Sequence, residues 1–141
     1  MHQLYQNGLI NAIQAKVASG TPYIGWSAGS NVAGPTIKTT NDMPIAEPSS
    51  FSALNLVPFQ INPHYTEAKV PNHGGETRPQ RLQEFLVANP QDTVVCLPEA
   101  TAIIAENRSY TYYGPKGKMV LMRGGQSHLY LPHGAKLQKL L

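Results

Sequence analysis

The apolar residues near the start of the chain follow first the helical and then the strand period. A helix is indicated by apolar side chains at three- and four-residue intervals, at Leu9, Ala12, Ile13 and Val17. This helix is expected to run to about Ser19, because Gly20 follows as a residue suited to the C′ position. The short apolar run 23–26 predicts a buried strand, and the small residues 28–33 predict a short helix that ends before Gly34-Pro35.

The middle of the chain alternates between polar loops and apolar segments. Residues 36–50 are polar and contain prolines, which indicates a loop, and residues 59–61 predict a short strand. A helix is expected after Thr77, which suits the N-cap position, with Pro79 in the first turn. Residues 93–97 are apolar on both faces, a pattern typical of a central parallel strand covered by helices.

Short strands separated by turn residues dominate the last third of the chain. They are predicted at 102–105, 109–113, 119–122 and 128–131. The connections 106–108 and 114–117 have the composition of hairpin turns, so the strands are expected to form an antiparallel meander. Helix and strand units followed by hairpins predict an α/β fold, a layered sheet with a mixed edge.

Length and composition narrow the class of protein. The 141 residues suffice for one domain, and 41% hydrophobic with only 13% charged residues excludes a disordered chain. The net charge of +3 comes without a run of basic residues, so no nucleic-acid partner is expected. No apolar stretch is long enough to span a membrane, and the single cysteine, Cys96, suggests a reducing compartment. We therefore expect a cytoplasmic protein without a membrane partner.

The most informative segment is 25–29, Gly-Trp-Ser-Ala-Gly, which matches the Gly-x-Ser-x-Gly pattern. It lies between a predicted strand and a predicted helix, the setting in which such a serine forms a nucleophile elbow. Ser27 is then the candidate nucleophile, and the backbone N–H of Ala28 is the candidate donor to an oxyanion. The alternative is a glycine-rich turn with an incidental serine.

A serine nucleophile needs a base, and five histidines are available: His2, His64, His73, His128 and His133. His64 directly follows a predicted strand, and active sites of α/β sheets cluster at the carboxyl ends of strands. It is therefore the first candidate, with a structural strand-end histidine as the alternative. No pair of histidines has metal-ligand spacing, so no metal is expected.

Few acidic residues can orient the histidine. Glu99 follows the central strand, and Asp42 lies in the loop after the short helix. Either carboxylate could hold the imidazole, while the alternatives are a solvated turn acid and an Asx turn. Arg78 begins the following helix and could clamp a carboxylate, or it could simply pair with Glu76 on the surface.

Taken together, these segments resemble peptidase E, the α-aspartyl dipeptidase family. The resemblance rests on YIGWSAG at 23–29, TTNDMPI at 39–45, QINPH at 60–64, GETR at 75–78 and LPE at 97–99. It covers the chain from the first helix to about Glu99. It implies a hydrolase without a cofactor that cleaves dipeptides and some longer peptides with N-terminal aspartate.

The resemblance also implies a role for each matching residue. Ser27 is the nucleophile and His64 the general base. Two positions match the acid of the triad: Glu99, which we favour because it ends a neighbouring strand, and Asp42. Arg78 lies in a segment near the substrate and is assigned to the aspartate side chain. The implied fold is the flavodoxin-like three-layer sandwich shared with class I glutamine amidotransferases.

Members of the family have several βα units before the matching segments, including a glycine-rich loop that resembles the second half of the oxyanion hole. Residues 1–141 are therefore expected to be the C-terminal portion of the catalytic domain, incomplete at the N-terminus. The alternative function is a non-catalytic remnant whose exposed sheet edge favours self-association, with a homodimer as one outcome. A weaker alternative is hydrolysis of another acyl substrate, such as an ester.

Overall fold

The computed structural model describes residues 1–43, 45–69, 74–114 and 119–137, and shows a mixed α/β arrangement. Its helices are α1 His2–Gln6, α2 Leu9–Ala18, α3 Ala28–Ala33 and α4 Arg78–Ala88. Its strands are β1 Gln60–Pro63, β2 Thr93–Leu97, β3 Ala102–Glu106, β4 Ser109–Tyr113, β5 Met119–Arg123 and β6 Leu129–Leu131. One sheet has the order β1-β2-β5-β6, and β3 and β4 form a second sheet. Within the described residues, no helix combines the length and apolarity needed to cross a bilayer.

The predicted end of the first long helix is confirmed. Gly20 has a φ of 98° and donates its N–H to the carbonyl of Val17 at 2.9 Å, while Thr21 donates to Lys16 at 3.1 Å. These two bonds form a Schellman motif, and the left-handed backbone at its centre favours glycine. The sequence pattern did not predict the separate short helix α1.

The predicted strand at 23–26 is wrong. These residues have no regular secondary structure, and the side chains of Ile24 and Trp26 are 83% and 80% exposed. A strand needs a partner for its backbone groups, and no strand in the described part of the chain lies beside this segment. An apolar sequence was therefore not sufficient for this segment to form a strand. The helix predicted after it is present as α3.

The strand β2 is the structural centre, as its apolar sequence predicts. It pairs in parallel with β1 and antiparallel with β5, so the sheet is mixed. Val94 and Cys96 pack on one face against Leu82 and Leu86 of α4. That helix begins with the predicted N-cap, because the Thr77 Oγ1 accepts from the Gln80 backbone N–H. The Gln80 Oε1 in turn accepts from the Thr77 backbone N–H, which completes a capping box.

The opposite face of the sheet is covered by the β3–β4 hairpin and by the segment before β1. Its buried cluster includes Phe59, Ile61, Val95, Leu97 and Tyr112. The sheet is therefore packed on both faces. This arrangement places the carboxyl ends of β1 and β2 next to the hairpin.

The predicted C-terminal meander is only partly correct. The turn between β3 and β4 is a hairpin in which Asn107 and Arg108 both have positive φ, 50° and 60°, as a type I′ turn requires. The predicted turn at 114–117 falls largely outside the described residues, and β4 and β5 lie in different sheets, so it does not join a hairpin. Strand patterns identify the strands, but they do not identify which strands pair.

Candidate active site

Ser27 lies at a sharp turn into α3. Its backbone has φ 52° and ψ −123°, a conformation that non-glycine residues rarely adopt. The turn is closed by the Gly29 N–H, which donates to the Trp26 carbonyl at 2.9 Å. A side chain at Gly25 would place its Cβ 2.5 Å from the Gly29 carbonyl oxygen, so the turn requires glycine there. The positive φ of Ser27 and its sharp entry into a helix are the features of a nucleophile elbow, although the segment before Ser27 is not a strand in this structure.

The imidazole of His64 is in hydrogen-bond contact with this serine. His64 follows β1 directly, and its backbone also has a positive φ, 54°. Its Nε2 lies 2.8 Å from the Ser27 Oγ. The next residue, Tyr65, donates its N–H to the Leu97 carbonyl at 2.9 Å, so the chain is tied again to β2 immediately after the histidine.

Glu99 contacts the other side of the same imidazole. Its Oε1 is hydrogen-bonded to the His64 Nδ1. A carboxylate only accepts hydrogen bonds, so Nδ1 carries the proton in the neutral imidazole and Nε2 is left to accept from the Ser27 hydroxyl. The series Ser27–His64–Glu99 therefore has the directions of hydrogen bonding that a triad needs.

Backbone strain is concentrated around this series. Three of the non-glycine residues with positive φ are Ser27, His64 and Ala100, the last of which follows Glu99. Each such conformation costs of order 1–3 kcal/mol, and such residues cluster at active sites. Ser27 and His64 thus have strained backbone conformations, and Glu99 lies next to one, so the rest of the fold must stabilise all three.

Asp42 does not share this contact. It is exposed, and among the described residues its carboxylate forms no hydrogen bond or ion pair with His64. Its backbone N–H donates to the Thr40 Oγ1 at 3.3 Å, within the loop. The sequence allowed either Glu99 or Asp42 to orient the imidazole. In the structure Glu99 contacts the imidazole and Asp42 does not.

Arg78 contacts the backbone at the histidine. Its Nη1 donates to the Pro63 carbonyl at 3.2 Å and to the His64 carbonyl. The surface pair with Glu76 that the sequence allowed is not formed in the described structure. The half-buried guanidinium lies beside the histidine backbone, and it is not part of the wall of the cleft described next.

A large cleft opens over Ser27 and His64. Its volume is about 1180 Å³, and its walls are formed by segments 20–27 and 97–107. Side chains of the apolar core, including Phe59 and Ile61, form part of its lining. The site is open to solvent, since the side chains of His64 and Glu99 are 43% and 78% exposed.

The backbone N–H of Ala28, the candidate oxyanion donor, is not bonded to any of the described residues. Ala28 is the first residue of α3. A free N–H at the start of a helix is a suitable donor to a developing negative charge. Among the residues that the structure describes, no group of three histidine, cysteine or acidic side chains could hold a metal ion.

Other histidines and the cysteine lie away from this site. His2 contacts the Glu47 carbonyl, His128 contacts Gln83, and His133 contacts Gly114. His73 lies outside the described residues. Cys96 is fully buried in β2, and burial raises the pKa of its thiol, as expected for a small core residue.

Sequence reasoning missed a buried polar network beside β1. It is formed by Asn31, Thr39, Asn41 and Asn62. Asn62 is 1% exposed, and its Oδ1 has no hydrogen-bond partner among the described residues. The available signal was an asparagine at the end of a predicted strand, because an amide that becomes buried there must find hydrogen-bond partners.

The sequence is similar to proteins of one peptidase family. The model of peptidase family S51 matches residues 1–112. Peptidase E of a Nostoc species is 58% identical over 133 residues, which cover 94% of this chain and 55% of that relative. Peptidase E of a Shewanella species is 50% identical over 141 residues, covering 100% of this chain and 59% of the relative. Peptidase E of Actinobacillus pleuropneumoniae serotype 5b is 55% identical over 114 residues, covering 81% and 49%. The chain therefore spans about half the length of the curated relatives it matches.

Proposed function

This chain belongs to peptidase family S51, and on that premise we propose that it is a serine-type peptidase. The observation that carries the proposal is the hydrogen-bonded series Ser27–His64–Glu99 at a nucleophile elbow. A core histidine would not require a serine hydroxyl on one nitrogen and a carboxylate on the other. The exposure of the series to a cleft allows a substrate to reach it.

The proposed reaction is acyl transfer to the serine. The His64 Nε2 takes the hydroxyl proton while the Ser27 Oγ attacks the carbonyl carbon of the scissile peptide bond. The oxyanion accepts a hydrogen bond from the Ala28 N–H, and Glu99 stabilises the imidazolium. The imidazolium then gives its proton to the leaving amine as the C–N bond breaks. His64 then takes a proton from a water molecule, whose oxygen attacks the acyl carbon. The bond from that carbon to the Ser27 Oγ breaks, the imidazolium returns the proton to the Oγ, and the acid is released.

We propose dipeptides and short peptides with N-terminal aspartate as substrates. Arg78 is the proposed partner of the aspartate side chain. Its Nη1 is engaged with the Pro63 and His64 carbonyls, whereas its Nε and Nη2 form no hydrogen bond with the described residues. An arginine held by one terminal nitrogen can present its Nε and its other terminal nitrogen to a carboxylate. A small peptide is the only partner that this proposal requires.

The proposed fold is the flavodoxin-like three-layer sandwich. Its support is the parallel pair β1–β2, the helix α4 on one face of the sheet and the packing on the other face. The candidate site lies at the carboxyl ends of these parallel strands, which is where ligands bind in open α/β sheets.

Labelling with a fluorophosphonate tests the nucleophile, with intact mass as the readout. The wild-type chain should gain one phosphonyl group, and Ser27→Ala should gain none. The same pair should differ in release of free aspartate from Asp-Leu. A wild-type chain of the correct mass that neither labels nor hydrolyses would overturn the proposal and favour a non-catalytic protein. Equal labelling of both chains would assign the reaction to another residue.

The role of Arg78 is tested by comparing Asp-Leu with its isostere Asn-Leu. Because Arg78 also contacts the His64 backbone, Arg78→Ala should lower kcat for both substrates. A contact with the substrate carboxylate adds a second effect, a loss of the preference in kcat/KM for Asp-Leu. If the preference of Arg78→Ala equals that of the wild type, the arginine does not bind the side-chain carboxylate.

A further inference from the structure

The outer edge of β1 is occupied by side chains. Successive carbonyl groups of a strand point to opposite edges, so those of Ile61 and Pro63, two residues apart, point to the same edge. The Ile61 carbonyl accepts from Asn31 Nδ2 at 2.8 Å and from Thr39 Oγ1 at 2.9 Å. The Pro63 carbonyl accepts from Asn41 Nδ2 at 2.7 Å and from Arg78 Nη1 at 3.2 Å. Side-chain donors thus take the place that a neighbouring strand would have.

Among these donors, Asn41 is fixed at both ends of its amide. Its Oδ1 accepts from Asn62 Nδ2 at 2.7 Å, while its Nδ2 donates to the Pro63 carbonyl. Asn62 is buried and also donates to the Thr39 carbonyl at 2.9 Å. These bonds determine which way the Asn41 amide points. If its oxygen and nitrogen were exchanged, its Nδ2 would face the Nδ2 of Asn62 and its Oδ1 would face the Pro63 carbonyl oxygen, and neither pair could form a hydrogen bond.

The group that Asn41 holds is the peptide directly before His64. The pairing of β1 with β2 ends at Pro63, and the histidine that follows has positive φ. The chain is tied to β2 again only at Tyr65. Between these two points the direction of the imidazole depends on the peptide plane of residues 63 and 64, which the sheet ladder does not fix.

We propose that Asn41 is a positioning residue for the hydrolysis, acting through the Pro63 carbonyl on the orientation of the His64 imidazole. The inference rests on the proposed function of Ser27 and His64. In this proposal Asn41, the neighbour of Asp42, affects the rate of hydrolysis without contacting the substrate. The Arg78 bond to the Pro63 carbonyl holds the same peptide, and its bond to the His64 carbonyl holds the next one.

The test compares two isosteric changes in the same network. Asn41→Asp keeps the acceptor for Asn62 and replaces the donor to Pro63 by a carboxylate oxygen. Thr39→Val removes a donor to Ile61, on the same edge but farther from the histidine. For each folded variant the rate of fluorophosphonate labelling of Ser27 is measured together with kcat and KM for Asp-Leu and the melting temperature.

Asn41→Asp should slow labelling by about 10- to 100-fold and lower kcat by a similar factor, with KM nearly unchanged, since small misplacements of catalytic groups have effects of this size. Thr39→Val should lower the melting temperature and retain a labelling rate near that of the wild type. Equal rates for Asn41→Asp and wild type, or equal losses of rate in both variants, would overturn the inference. If Asn41→Asp does not fold, Asn41→Ala is compared in its place.

A second readout separates this inference from the proposed function. The proton on His64 Nδ1, bonded to Glu99, should give a downfield NMR signal, which would report imidazole placement whether or not Ser27 reacts. Loss or displacement of that signal in the Asn41 variant, with no change in Thr39→Val, supports positioning. An unchanged signal contradicts it. A wild-type chain that is not labelled by the fluorophosphonate contradicts the proposed function alone.

Discussion

His64 and Glu99 meet because of the register of two parallel strands. Pro63 and Leu97 are paired across β1 and β2 at their carboxyl ends. His64 comes one residue after Pro63, and Glu99 comes two residues after Leu97, so both residues lie at the carboxyl end of the paired strands. The contact between the imidazole and the carboxylate is therefore a consequence of strand pairing, although 35 residues separate them along the chain.

The first prediction concerns the acid that orients the histidine. Glu99→Gln should slow Ser27 labelling and peptide hydrolysis by about 10³- to 10⁴-fold, because the amide cannot stabilise an imidazolium and can favour the wrong tautomer. Asp42→Asn should have little effect, since the Asp42 carboxylate does not contact the imidazole. The rate of fluorophosphonate labelling measures both variants. A loss confined to Asp42→Asn would reverse the assignment.

Two glycines of the elbow should respond differently to alanine. Gly25→Ala places a Cβ 2.5 Å from the backbone oxygen of Gly29, so it should lower the free energy of unfolding by about 1–3 kcal/mol or more. Gly29→Ala is the matched control, because its Cβ would meet only the Tyr23 hydroxyl at 3.8 Å, and alanine favours the helix. Thermal unfolding compares the two. Equal stability of both variants would show that the turn at Gly25 is looser than described.

The buried cysteine should be inert in the folded protein. Burial in β2 raises the pKa of the Cys96 thiol and keeps it protonated, and only the thiolate reacts quickly with disulfide reagents. At pH 8 the native chain should show no reactive thiol, and unfolding in guanidinium should expose its single cysteine. Rapid reaction of the native chain would mean that the centre of the sheet opens readily.

Stability should fall at alkaline pH through Tyr65. Its side chain is buried and donates to Glu67, and burial is the main cause that raises its pKa above the usual value of 10. Above pH 10 the unfolded chain loses this proton while the folded chain retains it, so the free energy of unfolding decreases as pH rises.

Urea unfolding between pH 9 and pH 11 measures this effect, a range set by the ordinary tyrosine pKa of about 10. Tyr65→Phe should make the dependence on pH shallower. Tyr113→Phe, which changes an exposed tyrosine, is the control and should leave the slope as it is in the wild type. Identical slopes for wild type and Tyr65→Phe would place the alkaline sensitivity elsewhere.

Features encoded by neighbouring residues were predicted well. The end of α2 before Gly20, the N-cap of α4 at Thr77 and the hairpin turn at 106–108 each depend on a few consecutive residues. The apolar sequence of β2 also identified the centre of the sheet. The resemblance to the peptidase E family, carried by short motifs, is confirmed by the family match.

Strand pairing could not be read from the same patterns. The run 23–26 is as apolar as a strand, yet no partner lies beside it in the described chain, and β3–β4 separates from the main sheet. Whether a segment becomes a strand, and in which sheet, depends on backbone partners that are distant in sequence.

The sequence by itself determined the candidate nucleophile, its histidine and a choice between two acids, because these follow from local motifs and strand ends. Only the tertiary structure decided that Glu99 contacts the imidazole, that Arg78 contacts the histidine backbone, and that Asn41 holds the peptide before it. Each of these depends on distances between segments that are remote along the chain. Such distances are set by strand register and by the hydrogen bonds that buried polar groups must find.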